Sequence, residues 1–129
     1  MAERQNVSSG APYEPVAGYS RAVKIGNTIA VAGTTGLGPD GKVIALDDPY
    51  AQAVQALKII EQALQQTGVR FQQVVRTRIY VTDIRYADAV LRAHGEIFRE
   101  IRPASTLVAV TRLIDPTMLV EIEADAIVG

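Results

Sequence analysis

Residues 101–110, IRPASTLVAV, bring together a guanidinium, a proline that stops a helix, and two adjacent hydroxyls, Ser105 and Thr106. Hydroxyls that open a strand can satisfy stray backbone groups, and they can equally hold a polar ligand. They alternate faces, so only one can line a given cleft: Ser105 falls with Leu107 and Ala109, Thr106 with Val108 and Val110. Arg102 is expected to cap the carbonyls at the end of the preceding helix. His94, the only histidine, has the proton affinity for acid or base work, or else is a core histidine with a hydrogen-bond partner. Used functionally, it would point into the same cleft as Ser105 and Thr106. A Ser-His-Asp triad is not expected, because no G-x-S-x-G motif is present and the lone histidine has no evident acidic partner. The glycines of GTTGLGPDG lack the Lys-Ser/Thr ending of a phosphate loop. One histidine and carboxylates confined to one strand give no metal-ligand spacing, and the absence of cysteine removes thiolate chemistry.

The elements that must position these groups follow from periodicity. AVKIGNTIAVAG reads as two short strands around a Gly26-Asn27 hairpin turn. Asp48 as N-cap, Pro49 at the first helical position and Gly68 as stop frame a helix with Val54, Leu57, Ile60 and Leu64 on one face. VVRTRIYVTD alternates as a strand, with Val75, Thr77, Ile79 and Val81 on one side and Arg76, Arg78 and Tyr80 on the other. A second helix from about Tyr86 to Arg99 carries Ala87, Val90, Leu91, His94, Ile97 and Phe98 as its stripe. A strand over 104–110, a turn at Asp115-Pro116 and a strand from about Leu119 to Ile127 follow. In the last strand Glu121, Glu123 and Asp125 alternate with Val120, Ile122 and Ala124.

Two helices on one face of a mixed sheet is the economical α+β arrangement. The other face then holds charges of both signs, which predicts pairing across the sheet or across a subunit interface. The 129 residues suit one domain, 1–129. A formal charge of −1 and no run of Lys or Arg argue against nucleic-acid binding. The N-terminal segment lacks the apolar core of a secretory signal, and no apolar run is long enough to span a membrane, so a cytoplasmic protein is expected.

Five segments, GYSRAVKIGNTIAVAGTTG, RTRIYVTDI, HGEIF, RPASTLVAV and LVEIEADA, occur in this order between about Tyr19 and Ile127. Together they resemble the YjgF-type or Rid (reactive intermediate deaminase) family, whose members are also named L-PSP endoribonucleases. The resemblance implies a chorismate mutase-like mixed sheet with two helices on one face. It also implies a homotrimer around a central β-barrel, with a small-molecule ligand in clefts between subunits. Active members hydrolyse enamines and imines such as 2-aminoacrylate without a cofactor, and no metal is implied. On this resemblance Tyr19 and Glu121 are the catalytic candidates, Tyr19 in the GYS position and Glu121 as the first glutamate of EIE. Three positions depart from the family pattern: Ser105 stands in place of the substrate-gripping arginine, Ala32 in place of a serine before Gly33, and Leu91 in place of an asparagine.

A guanidinium grips a carboxylate through two parallel charge-assisted hydrogen bonds, whereas a serine offers one neutral donor. That loss typically weakens binding by a few kcal/mol. Arg21, close to Tyr19, is the preferred substitute clamp, with a structural salt bridge as its other reading; Arg102 and Arg78 are weaker candidates. Glu121 would handle the protons of imine hydrolysis or pair with Arg76 or Arg78. The expected substrate-binding set is Arg21, Ser105, Thr106 and His94. The expected function is hydrolysis of an enamine- or imine-like metabolite. The alternative is a non-catalytic trimer that binds a metabolite or partner. RNA cleavage is disfavoured by the charge balance and by the lack of a basic or aromatic platform.

Overall fold

A computed structural model of the chain describes residues 3–129. In chain order its elements are β1 (Arg4–Val7), α1 (Tyr13–Ala17), β2 (Ala22–Ile25), β3 (Thr28–Thr34), α2 (Pro49–Gln66), β4 (Val74–Val81), α3 (Ala87–Phe98), β5 (Ala104–Ala109) and β6 (Val120–Ile127). Short 3-10 turns at Phe71–Gln73 and Ile84–Tyr86 lead into β4 and α3.

The strands form one mixed sheet in the order β1-β2-β3-β6-β4-β5, with β4 and β5 parallel and every other pair antiparallel. The predicted hairpin closes with Ile25 opposite Thr28 and Gly26 at φ 60°, a conformation glycine adopts without steric penalty. In α2 the Asp48 carboxylate accepts the Ala51 N–H at 3.0 Å, and the helix ends at a left-handed Gly68. Its inner face is Ala53, Ala56, Leu57, Ile60, Ala63 and Leu64, with Val54 only partly buried. Gln52, fully buried, donates to the carbonyls of Ala45 and Thr117 and accepts the Leu119 N–H. One satisfied amide therefore fastens two loops to the helix.

Three expectations change in detail. In β4 the register shifts between Val74 and Arg76 against β6. This bulge puts Val74 in the core and turns Val75 outward, 44% exposed. In α3 the buried side chains are Val90, Ala93, His94 and Phe98, while Leu91 is 45% exposed. Residue 91 lies about 100° round from 90, outside the stripe that 90, 94 and 98 define. Arg102 caps α3 through its backbone, its N–H donating to the Phe98 carbonyl at 2.8 Å, with φ at 54°. No side-chain capping bond accompanies it among the described residues.

The core packs α2 and α3 against one sheet face, made by Ile29, Val31, Ile79, Val81, Val120, Ile122 and Ala124. On the opposite face Arg78 bridges Glu123 at 3.3 Å and Asp125 at 3.2 Å, and the Tyr80 hydroxyl donates to Glu123 at 3.0 Å. The predicted pairing of charges across the sheet is therefore made within the chain.

Candidate functional site

Arg21 is the centre of one constellation. It is 4% exposed, and its five N–H donors have five acceptors within reach. Nε donates to Ser9 Oγ at 3.2 Å; Nη1 donates to the Gly33 carbonyl at 2.6 Å and Thr34 Oγ1 at 3.1 Å. Nη2 faces the Tyr19 hydroxyl at 3.4 Å and Glu14 Oε2 at 3.5 Å. Glu14 is held in turn by the hydroxyls of Ser8 and Ser9 and the N–H groups of Ser9 and Ala11. Burial pushes its pKa up, but these hydrogen bonds and Arg21 outweigh that, and the carboxyl stays below its usual range. The short hydrogen bonds from Nη1 commit one edge of the guanidinium to the protein, while Nη2 makes only the long contacts to Tyr19 and Glu14. Of the two readings of Arg21, the structural salt bridge is the contact made within the chain, to Glu14, alongside contacts to Gly33 and Tyr19.

Glu121 enters the same constellation through Gly33. The register of β3 against β6 shifts between Val31 and Thr34, and Gly33 lies in that bulge. A Cβ at Gly33 would meet the Glu121 carboxylate, whose Cδ would lie 2.9 Å away. Only glycine lets the carboxylate sit this close to the backbone. Burial raises the Glu121 pKa, Arg21 opposes the shift, and Glu123 adds to it. The alternative ion pair does not form with Arg78, which turns to Glu123 and Asp125. Arg21 and Glu121 therefore meet at one glycine, Tyr19 joins the group through Arg21, and Glu121 is a half-buried carboxyl with raised proton affinity.

His94 and Ser105 belong to a second constellation. Thr77, 1% exposed, stands in register opposite Ser105 across the parallel β4–β5 pair. Its Oγ1 lies 2.8 Å from Ser105 Oγ and 2.8 Å from His94 Nε2. The His94 ring packs on Phe98 with centroids 4.6 Å apart, and burial lowers its pKa. Ser105 shares the helix-side face with Thr77. Thr106, opposite Arg78, is on the other face and exposed. Within one chain the six expected residues thus divide into Tyr19, Arg21 and Glu121, then His94 and Ser105, then Thr106 alone.

Sequence reasoning missed Glu14, Gly33 and Thr77 as members of these groups. Thr77 carried a readable signal, a hydroxyl on the apolar face of an alternating strand, which needs a buried partner. Glu14 carried none, since α1, in which it sits, shows no apolar stripe and meets Arg21 only through the chain's turn between α1 and β2. Among the described residues no group of three His, Cys, Asp or Glu is placed to hold a metal ion, and no helix is long and apolar enough to cross a membrane.

Residues 9–128 match the family model for endoribonuclease L-PSP. SCO2049, an uncharacterized protein of Streptomyces coelicolor, is 38% identical over 125 residues, covering 97% of this chain and 92% of the relative. The crystal structure of Rv2704 from Mycobacterium tuberculosis, a member of the YjgF/YER057c/UK114 family, is 52% identical and superposes with a TM-score of 0.89. The match covers 98% of this chain and 100% of that one. The human 2-iminobutanoate/2-iminopropanoate deaminase is 29% identical over 126 residues, 98% of this chain and 91% of its own length.

Proposed function

The chain belongs to the endoribonuclease L-PSP family, the YjgF or Rid type, and from that membership we propose that it hydrolyses a small enamine- or imine-type metabolite. The proposal takes residues 1–129 as one Rid-like domain of a cytoplasmic homotrimer closed around a central barrel, with substrate in the clefts between subunits. The observation that carries it is the Glu121 carboxyl, held against Gly33 with a raised pKa. Imine hydrolysis adds water across C=N and then breaks the C–N bond. Both protons of the water must reach the nitrogen, one as water adds and the second, from the new hydroxyl, as the C–N bond breaks. A partly desolvated carboxyl whose pKa burial raises above its ordinary value suits both transfers. The Tyr19 hydroxyl lies 3.4 Å from Arg21 Nη2, and the guanidinium stacks near its ring. The likeness to the human deaminase supports the reaction class.

The substrate differs from the amino-acid imines of active members. Ser105 offers a hydroxyl already bonded to Thr77 where those members have an arginine, and Arg21 is engaged with Gly33, Thr34 and Glu14. Neutral imines, or imines whose carboxylate is only weakly held, fit this chain better.

The test generates imines from amino acids with an amino acid oxidase, adds preformed neutral imines as a second panel, and traps survivors with semicarbazide. Wild type should reduce semicarbazone formation for at least one imine, and Glu121→Gln should lower that rate by about a hundredfold. If wild type matches the protein-free control across both panels, the hydrolase reading fails. The second reading, a non-catalytic trimer that binds a metabolite or partner, would then take its place; the internally bonded Ser105 favours it.

A further inference from the structure

A cavity of about 370 Å³ lies within the chain, between the arm that follows β1, the loop after β3 and one flank of α2. That is the size of an ordinary small-molecule site. Tyr19, Glu121, Ser105 and Thr106 do not line it, so it is separate from the group to which the imine reaction is assigned. Arg21 and Thr34 line it and form the wall on that side. From α2 come Gln55, Ile59, Gln62 and Gln66, which follow one another at helical spacing as a stripe beside the core-facing side.

Charge decides the first property of a ligand. Arg21 is the one charged residue among the described lining residues. Glu14 matches its charge, and Nε and Nη1 are bound to Ser9, Gly33 and Thr34. An anion would have to compete with Glu14, and a cation would meet no carboxylate on these walls, so the cavity suits an uncharged molecule. The polar groups decide the second. Of the lining hydroxyls, Ser8 and Ser9 donate to Glu14 and Thr34 donates to the Ala32 carbonyl. Thr35 is 8% exposed, yet its hydroxyl makes no hydrogen bond among the described residues. A nearly buried hydroxyl left without a partner is costly, and a ligand that pairs with it recovers the loss.

Two amides stand near it. Gln55 Nε2 donates to the Leu37 carbonyl at 2.8 Å, which fixes the amide's orientation and leaves Oε1 as an acceptor. Gln62, exposed on the same stripe, keeps both its donors and its acceptor among the described residues. An amide side chain presents N–H and C=O side by side, the complement of the same edge on a lactam or carboxamide. Val7, Ile59 and Ala63 add an apolar wall for a flat ring. We propose that this cavity binds a small uncharged lactam or carboxamide, its N–H and C=O edge held by Thr35, Gln55 and Gln62 and its ring lying on Val7, Ile59 and Ala63. The site does not depend on the imine reading.

The experiment titrates the isotope-labelled full-length protein with nicotinamide, a carboxamide, and 2-pyridone, a lactam, and follows N–H signals by NMR. At least one probe should shift the side-chain N–H groups of Gln55 and Gln62 and the backbone N–H of Thr35, saturating at about 1–10 mM, the range open to molecules of this size. Benzoate, close to nicotinamide in shape but charged, should shift them less at every concentration. Thr35→Val, which keeps the shape and removes the hydroxyl, and Gln62→Leu, at an exposed position that leaves the core untouched, should each weaken binding about tenfold. Thr35→Ser should restore most of the affinity. The inference is overturned if neither probe moves these groups, if benzoate binds as tightly, or if the folded variants bind like wild type. Shifts centred on Tyr19 and Gly33 instead would overturn it too, by placing the probe in the other group. Tyr19 and Glu121 take no part in this site, so its failure leaves the imine reading standing, and the converse holds.

Discussion

Gly33 and Arg21 set the geometry around Glu121, and each makes a separable prediction. Gly33→Ala places a methyl where the carboxylate now sits. Glu121 must swing away, with an expected destabilisation of about 1–3 kcal/mol by urea denaturation, as for other overpacked sites. The same variant should lower any Glu121-dependent turnover by more than its stability loss explains. Arg21→Met removes the buried partner of Glu14 and the donors to Gly33 and Tyr19. Breaking a buried ion pair from one side typically destabilises by about 3–5 kcal/mol. The hydrogen bonds that Glu14 keeps from Ser8 and Ser9 put the expected loss at about 3 kcal/mol or below. A loss of turnover with no change in stability would instead favour a direct contact between Arg21 and substrate. Residue types singled out Arg21, but its partner Glu14 lies in residues 8–18, a stretch with no periodic pattern, so the ion pair was not legible.

Among the elements, β2 to β6 and the two long helices were legible because periodicity and caps agree: Asp48 and Gly68 bracket α2, and Glu121 to Asp125 alternate with apolar neighbours. β1 and α1 were not legible. Only Val7 of β1 is buried, and the buried member of α1 is Glu14, so neither shows an apolar stripe. The bulge at Val74 to Arg76 was hidden for a related reason, since Val74 and Val75 are chemically identical and only the pairing with β6 selects one. Arg102 offers an element-scale test. It occupies the left-handed position after α3 that glycine usually takes, with φ at 54°. Arg102→Gly should stabilise the chain by about 1 kcal/mol, the steric relief expected at such a site, read as a higher urea midpoint with unchanged slope. A lower midpoint would mean the Arg102 side chain contributes more than its backbone strain removes.

At the scale of the whole molecule, the candidate carboxyl and the lone histidine pull stability in opposite directions with pH. Glu121 has a folded pKa above its ordinary 4.5. Between those values the folded chain keeps a proton that the unfolded chain releases, so this contribution is full below pH 4.5 and fades as pH rises through the folded pKa. His94 has a folded pKa below 6.5. As pH falls below 6.5 the unfolded chain takes up a proton that the buried ring refuses, so stability drops until the folded pKa is passed. At pH 7 the histidine is mostly neutral in both states and imposes little, while burial at Glu121 opposes the ionised form that the unfolded chain adopts freely. Glu121→Gln should therefore raise Tm at pH 7. The gain should shrink toward pH 4, below both the ordinary and the folded pKa, where the wild-type carboxyl is mostly protonated in the folded and unfolded chains alike. Thermal melts of both proteins at pH 4, 5.5 and 7 read this directly. A stabilisation at pH 7 together with the turnover loss expected of the same variant would identify Glu121 as a group kept for chemistry at the expense of the fold, a common bargain at active sites. A destabilisation at pH 7 would show that the carboxylate has a favourable partner in the assembled protein. A subunit neighbour contributing a cation to the cleft would then be the first place to look.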